Sequence, residues 1–212
     1  MKTRNFCIIL MAAIWCELCS ASEIVLLPNP RQTGGAPIME ALKNRKSTRE
    51  FSTRPIEIKT LGEILWAGFG INRPENLHRT APSAMNSQEI DIYIAIKEGV
   101  FLYEPKTNGL IKISDSDVRE KISNQQFNKT APVVLVFVAD YSRSKAQPPQ
   151  RQLYAYIDTG FISQNIYLYC ASEGLGTVIH ELKPNPNRKI VKSETKSRGN
   201  YGSINWIPKR II

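Results

Sequence analysis

One segment constrains the fold of this chain more than any other: residues 151–173, the longest stretch with helical periodicity. Gly174 follows it as a natural C-terminal stop. Its apolar residues are Leu153, Tyr156, Ile157, Phe161, Ile162, Ile166, Leu168, Tyr169 and Cys170. Because they occupy more than one helical face, one face is predicted to pack on the domain core and another against a second copy of the chain.

Shorter segments show either helical or strand-like periodicity. Helices are predicted at residues 38–45, 56–70 and 115–123. Strands are predicted at residues 90–97, 99–103, 110–113, 133–139 and 174–179, with the apolar run 133–139 in the middle of a sheet. The chain of 212 residues is long enough for one domain with a sizeable core, so the pattern predicts a single α+β domain.

The first residues are typical of a secretory signal. Lys2 and Arg4 precede an apolar run over residues 6–16, and small residues follow up to Ala21. The run is shorter than the ~20 residues that span a bilayer, so no stable membrane anchor is predicted. We expect a signal over residues 1–21, export to the periplasm and an N-terminal linker over residues 22–36. A lipid anchor at Cys19 is the alternative, and Leu18 before it disfavours that reading.

The positive charge lies almost entirely outside the predicted domain. Of the net charge of +9, residues 183–212 carry +7 and residues 1–21 carry +1, which leaves the body nearly neutral. A nucleic-acid partner is therefore not predicted, because the basic tail also lacks interleaved aromatic residues. Cys170 is the only cysteine after the signal, so no internal disulfide is predicted, and no cluster of metal ligands is present in the sequence.

The motif RKSTREF, residues 45–51, places Arg45, Ser47 and Arg49 at alternate positions. An extended backbone turns alternate side chains to one side, so two guanidinium groups and a hydroxyl are predicted to face the same way. Such a set suits a phosphate, because guanidinium donors match phosphate oxygens in a bidentate fashion. In isolation these arginines would be read as solvated surface charges.

The order of motifs along the chain resembles the nitroreductase family. RKSTREF is followed by ILWAGFGIN, RTAPSAMNSQ, a strand and hairpin, QQFN, APVVLVFVAD, QNIYL and EGLGTV. More narrowly, the chain is similar to the SagB-type or thiazole/oxazole-dehydrogenase branch, over roughly residues 37–179. The resemblance implies an α+β fold with a central, mainly antiparallel sheet flanked by helices. It also implies a homodimer formed through the long buried helix, with FMN at the subunit interface.

The resemblance also implies roles for particular residues. Arg45 and Ser47 would bind the FMN phosphate and ribityl chain, and Arg49 would reach the pyrimidine edge of the flavin. The partner subunit would close the pocket with Pro82, Ser83 and Asn86. Asn128, or its neighbour Gln125, would bind the pyrimidine side, and the backbone near Ile179 and His180 would face flavin N5.

The implied activity is that of an FMN-dependent oxidoreductase, with NADH or NADPH as a donor and a small molecule or a peptide as substrate. No catalytic residue is assigned from the sequence. The likeness ends after Ile179, where Leu182 stands in place of an expected glycine and residues 183–212 form a divergent basic tail. The domain is therefore expected over residues 37–182. The alternative function is an impaired pseudoenzyme or exported interaction module that keeps the fold.

Overall fold

The computed structural model describes residues 24–183. The strands are β1 (Ile24–Leu26), β2 (Ile71–Arg73), β3 (His78–Arg79), β4 (Ile90–Ile96), β5 (Gly99–Glu104), β6 (Gly109–Ser114) and β7 (Val134–Ala139). The helices are α1 (Ile38–Asn44), α2 (Ile58–Phe69), α3 (Arg119–Ile122) and α4 (Gln150–Ser172), with 3₁₀ turns at Ala84–Asn86 and Gln126–Lys129. The predicted signal over 1–21 and most of the predicted tail over 183–212 lie outside the described residues.

Five strands form one antiparallel sheet in the order β1-β6-β5-β4-β7, and β2 and β3 form a separate two-stranded ribbon. Helices α2 and α4 cover one face of the sheet, where their apolar residues meet those of β4, β5 and β7. This arrangement confirms the predicted α+β fold with a central antiparallel sheet flanked by helices.

Strand β7 is apolar on both faces, yet it lies at an edge of the described sheet. Leu135, Phe137 and Ala139 pack in the main core, whereas Val134 and Val136 join a second cluster on the opposite face. Its backbone pairs only with β4 among the described strands. Within residues 24–183 the predicted central position is therefore wrong, because a strand covered on both faces is equally apolar whether it has one neighbouring strand or two.

Helix α4 has the length that the sequence predicts, and it is the scaffold of the molecule. Its inner face is buried in the main core through Ile162 and Ile166. Helix α2 approaches it closely at Gly68, where a Cβ would lie 2.8 Å from Ile166, so a larger residue would push the helices apart. On the outer face Leu153, Ile157 and Phe161 remain 55%, 43% and 45% exposed.

Three local predictions differ from the structure. The segment predicted as a linker carries β1, which pairs with β6. The helix predicted over 115–123 is reduced to α3, since Asp117 instead bonds the Arg119 amide in a turn. The strand predicted over 174–179 is a loop, because its amides bond elsewhere: that of Leu175 to Cys170 at the end of α4 and that of Ile179 to a side chain.

Candidate functional site

Tyr167 of α4 is the centre of a cluster that joins two distant loops. Its hydroxyl Oη lies 3.0 Å from Ser47 Oγ and accepts a 2.9 Å hydrogen bond from the backbone N–H of Ile179. The guanidinium carbon of Arg45 lies 5.4 Å from the centre of the tyrosine ring, which is cation–π range. We call these four residues, Arg45, Ser47, Tyr167 and Ile179, the Tyr167 cluster.

Backbone contacts fix the same two loops against each other. The N–H of Thr48 donates to the carbonyl of Thr177 over 2.9 Å, and Arg45 closes α1 through a bond from its N–H to Ala41. Gly176 allows this close approach, since a Cβ there would lie only 3.0 Å from Thr48 Cγ2. The RKSTREF segment is therefore held at defined positions along its backbone, not only through its side chains.

The alternation predicted for RKSTREF is borne out at two of its three positions. Arg45 and Ser47 meet at Tyr167, whereas Thr48, Glu50 and also Phe51 line a cleft. Arg49 is exposed at the next alternate position.

The guanidinium groups of this segment are not neutralised by acidic side chains of the described residues. Among residues 24–183 neither Arg45 nor Arg49 forms an ion pair with an acidic side chain. Arg45 is half-buried, and Ser47 and Arg49 are exposed. An unpaired guanidinium beside an accessible hydroxyl is a donor set that fits a phosphate. These residues therefore fit the phosphate end of FMN.

The cleft beyond Thr48 has a volume of about 490 Å³ and lies between α2, α4 and the start of β7. Its walls are mostly apolar, and they include Cys170, whose thiol pKa is raised to about 12 by burial. A thiol of that kind is not a nucleophile at neutral pH, in agreement with its prediction as a core residue. Thr177 Oγ1 is buried in this wall without a hydrogen-bond partner among the described residues.

Aromatic rings lie at the mouth of the cleft. Phe127 stands 5.8 Å from Phe51 and packs edge-on against His180 at 5.1 Å between ring centres. Burial lowers the pKa of His180, so its imidazole is neutral at neutral pH. The structure thus places His180 beside the cleft, while the amide of the preceding residue, Ile179, already donates to Tyr167.

The amide side chain of Asn128 is engaged within the protein. It is buried, and its Nδ2 donates to Ser123 Oγ at 3.0 Å and to the carbonyl of Arg119 at 3.4 Å. Gln125 is exposed, and its backbone N–H donates to the same Ser123 hydroxyl. In the described chain Asn128 therefore ties α3 to the following 3₁₀ turn, and the pyrimidine role implied for Asn128 or Gln125 stays a prediction.

The second motif, APSAMNSQ, docks on α4 through Asp158. The backbone N–H of Ala84 donates to Asp158 Oδ2 over 2.9 Å. Within the loop, Ser83 Oγ accepts from the Gln88 amide at 2.9 Å, and Asn86 Oδ1 accepts from the Gln88 side chain at 3.0 Å. Asp158 and Tyr167 lie nine residues apart in α4, which is about 14 Å along its axis.

This spacing keeps the two motifs apart within one chain. Pro82, Ser83 and Asn86 belong to the loop that docks near Asp158, in the first half of α4, which we call the Asp158 end; Arg45 and Ser47 lie near Tyr167, in the second half, which we call the Tyr167 end. The family resemblance implies that the first three come from a partner subunit, and that role stays a prediction.

Sequence reasoning missed the residues that hold both motifs in place. Tyr167 and Asp158 lie in the long helix, but apolar periodicity does not mark a hydroxyl or a carboxyl as a scaffold group. The available signal was the presence of an acidic residue, Asp158, in a helix predicted to be apolar on more than one face, since a buried carboxyl group needs a partner.

Two classes of site are absent from the described part of the chain. Across residues 24–183 no three histidine, cysteine or acidic side chains converge as metal ligands. None of the helices there is long and apolar enough to cross a bilayer.

Comparison with known proteins agrees with this architecture. The model of the nitroreductase family matches residues 42–185. A nitroreductase-family protein of Methanocaldococcus jannaschii is 32% identical over 165 residues, which cover 72% of this chain and 83% of the relative. The chain therefore belongs to the nitroreductase family, a class of FMN-dependent oxidoreductases.

Two solved structures are similar in fold. A nitroreductase structure from Ralstonia eutropha JMP134 has a TM-score of 0.70 and 41% identity, over 74% of this chain and 75% of that chain. A second, from Anabaena variabilis, has a TM-score of 0.61 and 20% identity, over 73% of this chain and 35% of that chain. At that identity the second shows a shared fold alone.

Proposed function

We propose that this chain is an FMN-dependent oxidoreductase whose cofactor phosphate binds beside the Tyr167 cluster. The observation that carries this proposal is the pair of guanidinium groups without acidic partners at Arg45 and Arg49, beside an accessible Ser47 hydroxyl that Tyr167 of α4 holds in place. Arg45 would neutralise phosphate charge, Ser47 would donate a hydrogen bond to a phosphate or ribityl oxygen, and Arg49 would reach the pyrimidine edge of the flavin.

Bound FMN supplies the redox chemistry, hydride uptake and release at its N5 position. The protein positions the cofactor and supplies donors. Its backbone near Ile179 and His180 would form the wall that faces flavin N5. His180 is neutral at neutral pH, so it offers this wall a hydrogen-bonding group without a charge.

The electron donor in this proposal is NADH or NADPH, and the acceptor is a small molecule. The sequence motifs suggest a more specific form of this proposal, in which the substrate is a heterocycle within a peptide, as in the SagB-type dehydrogenase branch. The test is the visible spectrum of the purified protein, followed by anaerobic addition of each reduced nicotinamide. Flavin absorbance that bleaches with either donor supports the proposal. A flavin that stays oxidised with both would exclude NADH and NADPH as electron donors.

We also propose that the protein works as a homodimer that buries the outer face of α4. Leu153, Ile157 and Phe161 follow one another at intervals of four residues and form an exposed apolar stripe on α4. A second copy would cover this stripe and supply Pro82, Ser83 and Asn86 to the site.

Light scattering tests the dimer. Phe161→Asp puts a charge in the stripe, and we expect it to convert a dimer to a monomer. Ile58→Asp is the control, since Ile58 is also 45% exposed but lies on α2. A wild-type monomer, or equal dimers in both variants, would contradict the proposed interface.

A second candidate function is an interaction module without turnover. It is favoured by Leu182, which is buried in the second apolar cluster at the position where the resemblance expects glycine. It is also favoured by the Ile179 amide, which is already bonded to Tyr167. A protein that is colourless and takes up no added FMN supports this candidate over the enzyme.

Export to the periplasm remains part of the proposal, based on residues 1–21 of the sequence. Cell fractionation of the full chain beside a variant that lacks residues 2–21 tests it. The full chain should appear in the periplasmic fraction and the variant in the cytoplasm; equal distribution of the two removes the signal assignment.

A further inference from the structure

The loop of the second motif adopts an unfavourable backbone conformation. Met85, Asn86 and Gln88 have φ values of 55°, 50° and 49°, in the left-handed region that side chains with a Cβ disfavour. Three such residues within four positions persist only if the surroundings hold them.

Contacts hold this loop from two sides. On the solvent side Lys145 Nζ donates to the carbonyls of Met85 at 2.9 Å and Asn86 at 3.4 Å, and its backbone N–H donates to Ser87 Oγ. On the protein side the Ala84 amide donates to Asp158. Lys145 is exposed, whereas Asp158 is buried, so Asp158 is the rigid anchor.

Asp158 interacts through its side chain with a second buried carboxyl group, that of Glu89, the residue that follows the loop. Each residue is only 1% exposed. Glu89 Oε2 receives no hydrogen bond from the described residues. Two adjacent carboxylates cannot both stay charged in such a place, but one proton between them lets Glu89 donate to Asp158.

The other charged groups around Glu89 compensate its charge only in part. Arg143 donates to the Glu89 carbonyl at 2.9 Å, but its guanidinium is paired with Asp91 at 2.6 Å and with Asp140 at 3.3 Å. The phenol of Tyr141 also faces Glu89, and burial raises its pKa, so it carries no charge at neutral pH.

Burial and the neighbouring carboxyl therefore raise the pKa of Glu89 to about 7, and burial raises that of Asp158. As the pH rises through this range Glu89 loses its proton, and the hydrogen bond to Asp158 becomes a repulsion. The loop at residues 83–88 is the covering element that can move to relieve it.

We propose that Glu89 and Asp158 are positioning residues that hold the 83–88 loop closed by sharing a proton, so that the loop opens when the proton is lost. Because the same loop carries residues assigned to the flavin pocket, flavin affinity falls as the loop opens; this part rests on the proposed function.

Hydrogen exchange of the full chain without flavin tests the loop directly. After correction for the base-catalysed rate, we expect the protection of residues 82–90 to fall about tenfold between about pH 6 and about pH 8.5. Glu89→Gln keeps a donor to Asp158 at every pH, so its protection should stay constant. Glu63→Gln is the control, since Glu63 is another buried glutamate, held by Tyr169 away from this loop, and its profile should match that of the wild type.

A wild-type profile without the fall, or the same fall in Glu89→Gln, would overturn the inference. If Glu89→Gln does not fold, Asp158→Asn is the second variant, because its amide can accept from Ala84 and donate to Glu89. In this variant the fall in exchange protection should vanish or move to lower pH, and an unchanged fall would overturn the inference.

Flavin titration at the same two pH values separates the two proposals. The wild type should bind FMN about tenfold more weakly at the higher pH, and Glu89→Gln equally at both. Failure to bind FMN at either pH contradicts the proposed function. The hydrogen-exchange result, which needs no flavin, still tests whether the loop opens. Equal FMN affinity at both pH values in the wild type contradicts the linkage to the site.

Discussion

The two ends of helix α4 hold the two sequence motifs by opposite kinds of chemistry. At one end the neutral hydroxyl of Tyr167 fixes Ser47 and the 174–179 loop beside unpaired arginines. At the other end the buried carboxyl group of Asp158 fixes the 83–88 loop and shares a proton with Glu89.

The difference follows from what each end holds: a phosphate-binding segment at the Tyr167 end and a strained backbone loop at the Asp158 end. A phosphate site needs cations that are not already paired, so its scaffold must hold the segment without an acidic group, and a tyrosine hydroxyl does so. The 83–88 loop is backbone in a strained conformation, and a buried anion is a stronger acceptor for its amide than a neutral group would be. The first end should therefore be insensitive to pH near neutrality and the second sensitive.

The largest expected effect lies at the Tyr167 end. Arg45→Ala removes a charge-assisted contact to the phosphate and should weaken FMN binding about 100-fold, or roughly 2–3 kcal/mol. Fluorescence titration of the flavin measures this. Lys46→Ala is the control, because Lys46 is the adjacent cation at the intervening position, and it should bind within about twofold of the wild type. Equal losses in both variants would mean that only net charge matters.

The pH dependence of folding sharpens the comparison at the Asp158 end. The pKa of Glu89 is raised from 4.5 to about 7 in the folded protein. The folded state therefore keeps a proton that the unfolded state has lost, and stability falls as the pH rises from about 4.5 to about 7, by about 1–3 kcal/mol.

Urea unfolding over this pH range measures the slope, and Glu89→Gln supplies the control. The fall should be smaller in the variant by the contribution of Glu89, while the contributions of Asp91, whose pKa is raised, and of His180, whose pKa is lowered, remain in both proteins. Parallel curves for wild type and variant would contradict the shared proton.

A smaller effect is expected from Tyr167→Phe. The change leaves the Ile179 amide and Ser47 without their partner and should lower the free energy of unfolding by about 1–2 kcal/mol. Thermal unfolding measures it. Tyr154→Phe on the same helix is the control, since the Tyr154 hydroxyl makes no hydrogen bond within residues 24–183. If the two variants were equally stable, the hydroxyl would not be the anchor of this end.

The smallest expected effect concerns loop strain. Met85→Gly should stabilise the protein by up to about 1 kcal/mol, because glycine adopts a φ of 55° without the Cβ clash. Met39→Gly is the matched change in α1, and it should destabilise by about 1 kcal/mol. Both methionines are exposed, at 60% and 72%, so packing contributes little to either. Effects of the same sign would argue against strain in the loop.

Local patterns in the sequence predicted most of the fold. Helix α4 and the hairpin of β5 and β6 were predicted within about two residues, because their periodicity reports directly on burial. Strand β1 was missed, since three residues are too few to show a period. The edge position of β7 was missed because its apolar faces record the layers above and below, not its neighbours.

The candidate site was predictable only in part, for a physical reason. RKSTREF shows its donors at alternate positions, so Arg45 and Ser47 could be expected on one side. The partners that fix them are distant in sequence: Ser47 meets Tyr167, and Glu89 meets Asp158. A single sequence does not show which of several buried polar groups face one another.

The account depends most on a phosphate held beside the Tyr167 cluster, and riboflavin, which is FMN without its phosphate, tests this claim directly. Titration of the purified full chain with each flavin compares the two affinities under one condition. The account predicts that FMN binds at least about 100-fold more tightly than riboflavin and that Arg45→Ala removes most of this difference. Equal affinity for the two flavins, or no binding of either, would contradict it.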